Sequence, residues 1–348
     1  MVISAFYPVT ICPSRYTLLK FLVRKVMTNL PIQTYFPSAS QLVYGCMAIG
    51  GDWNTNPTTA EQRLQAHNAI DAALDAGINM IDHADIYKMG KAEKVFGELL
   101  SQRPTLRSEL IIQSKCGIRF DDDLGPKRYD FSASWILNSV EGILTRLNTD
   151  YLDILLLHRP DPLMQHEEVA EAFHQLHQSG KVRHFGVSNM NGAQMQCLNH
   201  YVDQPLVANQ IEMSLTNLGW LEEGIYAGNP EGQHVNFTAG TLEYAKLNGV
   251  QMQSWAPASQ GKYSGASVAL NAKEQATRDL VTTLAQKYNV SPDALVLAWL
   301  MRHPSMIQPI IGSANPNRIK ESAQATTLTM TREDWYALYV SARGDELP

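Results

Sequence analysis

The chain has 348 residues, 45% of them apolar and 18% charged, enough to bury a large core as one large domain or two ordinary ones. A formal charge of -6 without a cluster of lysines or arginines argues against a nucleic-acid or anionic-membrane surface, because binding by counterion release needs gathered cations. The cysteines Cys12, Cys46, Cys116 and Cys197 are scattered with no Cys-x-x-Cys spacing, which suits reduced thiols in a cytoplasm and speaks against a structural zinc site.

Residues 1–35 read as an N-terminal extension of poor order. The segment starts apolar but lacks a basic leader, and Pro8, Pro13, Arg15 and Lys20 interrupt it, so neither a secretory signal nor a membrane span fits. Within it TLLKFLVRKVM, Thr17 to Met27, reads either as a basic amphipathic helix or as unstructured chain before a natural start near Met27. The remainder, 36–348, reads as a single domain.

From residue 40 onward strand and helix alternate. QLVYGCMAIGG is closed by Gly50 and Gly51, and Thr58 with Glu61 marks a capping box for a helix carrying Leu64, Ile70, Ala73 and Leu74 and stopped by Gly77. Strand-like runs follow at INMID, ELIIQSK, YLDILLLH, VRHFGVS, LVANQIE, VQMQSWA and MIQPIIGS, many separated by helical segments such as ASWILNSVEGILTRL. Continuous apolar strands covered on both faces, repeated as eight units in about 300 residues, predict an α/β fold of the closed (β/α)8 TIM-barrel type. A doubly wound sheet would need a Gly-x-Gly-x-x-Gly turn after the first strand, and the chain has none.

Chemistry in such barrels sits at the C-terminal strand ends. There the second strand delivers Asp82 with Tyr87 in its loop, the third Lys115, and the fourth His158. Any one of these alone reads as a rim residue; four in consecutive units read as a site. A phenol is a poor acid near neutral pH, but an ammonium beside it lowers its pKa, and Asp82 would hold that ammonium charged and oriented. His158 would bind a substrate oxygen while Tyr87 donates the proton. A lysine ending a barrel strand also suits a Schiff-base lyase, which keeps a second function class open.

Asp82, Tyr87, Lys115 and His158, together with GVSN at 186–189 and NQIE at 209–212, resemble the catalytic tetrad and companion motifs of the aldo-keto reductase superfamily. HRPDPL, LHQSGKVRHFGVSN and SKCGI are similar to its bacterial YdhF-type branch. The resemblance implies an NADPH-dependent reductase of aldehydes and ketones, acting on the CH-OH group in the reverse direction, with cofactor extended across the barrel mouth. It implies that Ser188, Asn189 and Gln210 hydrogen-bond the nicotinamide carboxamide and that Trp255, followed by Ala256 and Pro257, stacks on the ring; Trp255 by itself equally suits core packing. Lys262 would contact the pyrophosphate. Asn315 and Pro316 mark a helix start, whose free amides suit an anion. Ser313, Asn315 and Arg318 then correspond to positions that grip the adenosine 2'-phosphate, with Glu321 and Ser322 near the adenine. Gly312 departs from the family pattern, which places a phosphate-binding lysine there, so NADPH preference rests on Arg318 and some NADH use stays open. A cofactor-binding redox-sensing subunit with weak turnover is the other alternative.

The remaining features read plainly. His174 and His177 form a solvated helix face, no metal site is expected, and residues 215–240 read as an irregular Gly-rich loop over the active-site face. Loops around Trp53, Met89 and Phe120 would shape the pocket for a small carbonyl substrate, left open by a short C-terminal tail. The expected state is a cytoplasmic monomer or weak oligomer.

Overall fold

The computed structural model describes residues 29–348; Cys12 and the Thr17–Met27 segment lie outside the described residues. Eight parallel strands close a barrel: β1 (Val43–Gly45), β2 (Met80–Asp82), β3 (Ile111–Cys116), β4 (Leu152–Leu157), β5 (Val182–Ser188), β6 (Leu206–Glu212), β7 (Gln251–Trp255) and β8 (Gln308–Ile311). β1 pairs with both β2 and β8, which completes the ring. Around it lie α1 (Ala60–Asp75), α2 (Lys91–Gln102), α3 (Ala133–Leu147), α4 (His166–Gln178), α5 (Gly192–Tyr201), α6 (Gly219–Ile225), α7 (Thr241–Asn248), α8 (Ala272–Tyr288), α9 (Pro292–Met301), α10 (Pro316–Ala323) and α11 (Arg332–Arg343). No helix among the described residues is long and apolar enough to cross a membrane.

β3 and β4 are buried at every position, so the polar side chains within them, Gln113, Ser114, Lys115 and Asp153, must find partners inside the protein. Gly186 shows how tightly the barrel is filled. A Cβ there would stand 2.4 Å from Leu156 Cδ2 and 2.6 Å from Ala208 O, so a side chain would force β4, β5 and β6 apart.

Three features differ from the sequence expectation. The first turn of α1 is capped one residue later: Thr59 Oγ1 accepts from Gln62 N at 3.2 Å and Gln62 Oε1 accepts from Thr59 N at 3.0 Å. Two boxes one residue apart compete here, and the buried face is Ala66, Ala69, Ile70, Ala72 and Ala73, leaving Leu64 61% exposed. Residues 31–36, divided by the expected boundary, sit beneath the barrel, where a short 3-10 turn at Pro31–Thr34 puts Ile32 and Phe36 into one cluster with Val43, Met80, Ile111, Ile154 and Ile310. Residues 215–240 do not form an irregular cover. They contain α6 and a 3-10 turn at Pro230–His234, and Trp220 is buried against Trp299 of α9, while Glu222 accepts from Tyr339 and Arg343 of α11. Leu218, Trp220 and Leu221 need a core to bury in, and the outer helices supply it. The segment reaches the loops after the strands at both its ends: Thr216 Oγ1 and Ser259 Oγ stand 2.6 Å apart, and Gly240 O lies 3.1 Å from where a Cβ on Gly192 would be.

Candidate active site

Strand order brings Asp82, Tyr87, Lys115 and His158 to one end of the barrel. Lys115 Nζ donates to Asp82 Oδ2 at 2.7 Å, to His83 O at 2.8 Å and to Tyr87 Oη at 3.0 Å. Asp82 and Lys115 are 2% and 1% exposed, so this is a desolvated ion pair with its remaining hydrogen-bonding capacity met. The Tyr87 and His158 rings lie edge to face with centroids 6.0 Å apart, facing a common space.

The loop that carries Tyr87 is held in an uncommon backbone shape. Lys88, Met89 and Gly90 have consecutive positive φ values of 51°, 61° and 82°, of which the first two cost energy for side-chain-bearing residues. Tyr87 O accepts from Gly90 N at 3.0 Å, closing the turn onto α2. Behind it Glu93 of α2 is fully buried, accepting from Ser114 Oγ of β3 at 2.7 Å and from Arg146 Nε of α3 at 2.7 Å. A Cβ on Gly90 would approach Arg146 Cδ to 3.0 Å, so that side chain also backs the turn.

Electrostatics differ from the expectation in one respect. Burial pushes the Tyr87 phenol above its ordinary value, and the neighbouring Lys115 pulls it down without reversing the shift. The phenol is therefore neutral and holds its proton across neutral pH. Burial acts against the Lys115 ammonium, but Asp82 and Tyr87 beside it more than compensate and raise its pKa. His158 is held well below the usual imidazole value by burial, with Lys115 and Arg159 adding to the effect, so it is uncharged at neutral pH. Its Nδ1 is buried and has no hydrogen-bond partner among the described residues.

Below the ion pair lies a glutamine layer that the sequence reading missed. Gln113 and Gln210 each donate through Nε2 to Asp82 Oδ1 at 2.7 Å and to Gln253 Oε1 at 3.0 Å, while Gln253 Nε2 reaches Gln308 Oε1 at 2.9 Å. Asp82 thus receives two amide donors as well as the ammonium, which fixes its plane. The signal was available: Gln113 and Gln253 stand two residues before Lys115 and Trp255, on the same face of their strands. In this arrangement the Gln210 amide nitrogen serves Asp82 and Gln253.

The residues matched to a cofactor form a strip over β5 to β8. Ser188 Oγ donates to Gln210 O at 3.1 Å, Asn189 Nδ2 donates to Ser188 Oγ at 2.7 Å, and Trp255 Nε1 donates to Asn189 Oδ1 at 3.1 Å. Trp255 is half-buried at the strand end and stands outside the hydrophobic core. Ala256 has φ of 50° and starts, with buried Pro257, the turn into the loop holding Lys262, whose Nζ pairs with Glu274 at 2.7 Å. Gly312 follows β8, and a Cβ there meets nothing within 4 Å. Ser313 Oγ accepts from Asn315 N at 3.1 Å, and Asn315 caps α10 by accepting from Asn317 N at 2.9 Å. Arg318 is gripped by Asp293 through Nε and Nη2 at 2.9 and 3.0 Å, leaving Nη1 without a hydrogen bond among the described residues. A Cβ on Gly261 would lie 3.2 Å from Arg318 Nη2, so the loop after β7 touches α10. On α10 Glu321 is exposed and Ser322 is buried. His174 pairs with Asp203 at 2.8 Å, not with His177.

Known proteins share this organisation. The aldo/keto reductase family model matches residues 41–339. Oxidoreductase YdhF of Escherichia coli is 36% identical over 328 residues, covering 93% of this chain and 100% of its own. A 6-dehydroglucose reductase of Novosphingobium aromaticivorans is 34% identical over 332 residues, covering 92% of this chain and 100% of its own. In fold, the chain is similar to the glycerol dehydrogenase of Gluconobacter oxydans, with a TM-score of 0.72 and 22% identity over 89% of this chain and 93% of that one. It is also similar to an aldo/keto reductase of Klebsiella pneumoniae solved with NADP and acetate, with a TM-score of 0.66 and 24% identity over 86% and 90%. A family match over most of the length, and relatives this similar from end to end, establish that the chain belongs to the aldo/keto reductase family, a family of oxidoreductases.

Proposed function

We propose that the protein is an NADPH-dependent reductase of aldehydes and ketones in which Tyr87 is the general acid. The observation that carries this reading is the Lys115 ammonium bonded at once to Asp82 and to the Tyr87 hydroxyl. A neutral phenol beside a fixed cation can release its proton as negative charge develops on a carbonyl oxygen, and the cation stabilises the phenolate that remains. Asp82 keeps Lys115 charged and aimed, and the glutamine layer keeps Asp82 in place. His158, uncharged, orients the substrate oxygen through a ring nitrogen and adds no competing charge.

The strip from Ser188 to Arg318 fits a nicotinamide dinucleotide. It offers a half-exposed indole face at Trp255, hydroxyl and amide groups at Ser188 and Asn189, a capped helix start at Asn315, and a guanidinium whose free Nη1 can meet a 2'-phosphate. Bound NADPH would supply the hydride that the protein's own side chains cannot. Gln210 would offer its amide oxygen, since its nitrogen is engaged, and Lys262 would share its charge with Glu274. That the Klebsiella relative was solved with NADP supports the same cofactor class here.

The imine-forming alternative loses support from the same geometry. Lys115 Nζ is enclosed by three acceptors and held as an ammonium, so it has no free lone pair to attack a carbonyl. The test is to mix purified protein with NADPH and a panel of aldehydes, ketones and sugar aldehydes, the last included because of the 6-dehydroglucose reductase relative. Loss of NADPH absorbance with at least one class supports the reading. Tight NADPH binding with no turnover across the panel would instead indicate a cofactor-sensing protein.

A further inference from the structure

On the flank of the barrel a cleft of about 490 Å³ opens between α6, α7, the turn 302–305 after α9, and α11. None of its lining residues belongs to the tetrad or to the strip described above. The volume falls within the range of small-molecule sites, roughly 300–1,000 Å³. Its walls include the aromatic rings of Trp220, Trp335 and Tyr336. The Trp220 ring is fixed edge-on against Trp299 at 5.8 Å and His303 at 5.1 Å. Trp220 is 1% exposed, whereas Trp335 and Tyr336 line the cleft from half-buried positions.

The charges around the same cleft are arranged to one purpose. Lys246, Arg302 and Arg332 line it, and none of them pairs with a carboxylate among the described residues. Arg302 spends only Nε, on Met330 O at 3.1 Å, and the Arg332 guanidinium lies 5.2 Å over the Tyr336 ring. By contrast Arg107, Arg146, Arg318 and Arg343 each meet an acid. Two carboxyls, Glu223 and Glu243, line the cleft as well, so the three cations leave a net excess of one positive charge there; burial and the closeness of Glu243 raise the Glu223 pKa. His303 is held near 4 by burial and by Lys246, so it contributes no charge at neutral pH.

We propose that this cleft is a second binding site, separate from the reductase centre, for a planar aromatic small molecule bearing a carboxylate, sulfonate or phosphate. Aromatic walls favour a flat ring, and the three cations favour the anionic group.

The test uses fluorescence titration of the full-length protein, saturated with NADPH, with two probes of matched size. The anionic probe is 8-anilino-1-naphthalenesulfonate, and the uncharged one is N-phenyl-1-naphthylamine. The anionic probe should bind at a single site at least about tenfold more tightly than the neutral one, the margin expected from one charge-assisted contact. Arg332→Met and Lys246→Met change exposed side chains that support no core contact, and each should reduce that margin while leaving NADPH binding unchanged. Equal affinity for the two probes, indifference to both cation substitutions, or no binding of either probe to the NADPH-saturated protein would each overturn the proposal. The outcome does not depend on carbonyl turnover, so failure of the reductase reading would show separately.

Discussion

Replacing Lys115 with methionine keeps the length of the side chain and removes three hydrogen bonds at once, to Asp82 Oδ2, His83 O and Tyr87 Oη. Two consequences follow, and they can be told apart. The Asp82 carboxylate, 2% exposed, loses its counter-ion, and orphaning one member of a buried pair costs about 3–5 kcal/mol. Tyr87, already raised by burial, loses the one strong influence that lowers its pKa, so the proton becomes harder to release and turnover should fall by about 100-fold or more. Adding Asp82→Asn to Lys115→Met removes the orphaned charge while Oδ1 can still accept from Gln113 and Gln210. The double variant should regain about 2–3 kcal/mol of stability and none of the turnover. Denaturant unfolding measures the first, and NADPH absorbance with a reactive aldehyde measures the second. Turnover returning together with stability would show that Lys115 only holds the fold, and would refute the assignment.

Arg318→Ala should weaken NADPH by about 1.5–3 kcal/mol and NADH far less, because only the former carries a 2'-phosphate; equal losses in a binding titration would sink the contact. Gly312→Lys enters open space, and it should raise the ratio of NADPH to NADH affinity, a ratio that stays put if the 2'-phosphate lies elsewhere. Asp85 is raised from 3.8 to about 8 by burial and by Glu93, against the opposing Arg146. Between those values the folded chain holds a proton that the unfolded chain has lost, so the stability contributed by this group falls as pH rises towards 8. Asp85→Asn, which needs no proton, should flatten the dependence and be more stable by about 1–3 kcal/mol at the alkaline end. Parallel melting curves for the two proteins across that window would contradict the burial argument.

The barrel was legible because its strands are buried on both faces and read as short, largely apolar runs, of which the second, third and fourth end at Asp82, Lys115 and His158. Asp82, Lys115 and His158 could be found for that reason: a charge or imidazole ending such a run has few structural uses. The glutamine layer was harder to see. Gln113, Gln253 and Gln308 are uncharged and sit within the runs; the two-residue spacing from Lys115 and Trp255 gave away Gln113 and Gln253, and nothing local gave away Gln308. The backing of the Tyr87 turn by Glu93 and Arg146 joins positions 53 apart, and no local pattern encodes that contact. The Tyr87 pKa was misjudged because the sequence reveals the neighbouring cation but not the depth of burial, and burial outweighs the cation here. The packing of residues 215–240 was missed because five glycines and three asparagines interrupt any helical period, while the anchors Trp220 and Glu222 find partners more than 75 residues away.

The proton donor is the centre of this account, and Tyr87→Phe tests it most directly. The substitution keeps the ring, its packing and its contact with His158, and removes only the hydroxyl that Lys115 faces at 3.0 Å. Pre-steady-state reduction of an aldehyde by the NADPH-loaded variant should be slower by about 100-fold or more, with NADPH affinity and thermal stability close to those of the parent. A Tyr87→Phe protein that reduces the aldehyde at near the parent rate would contradict it.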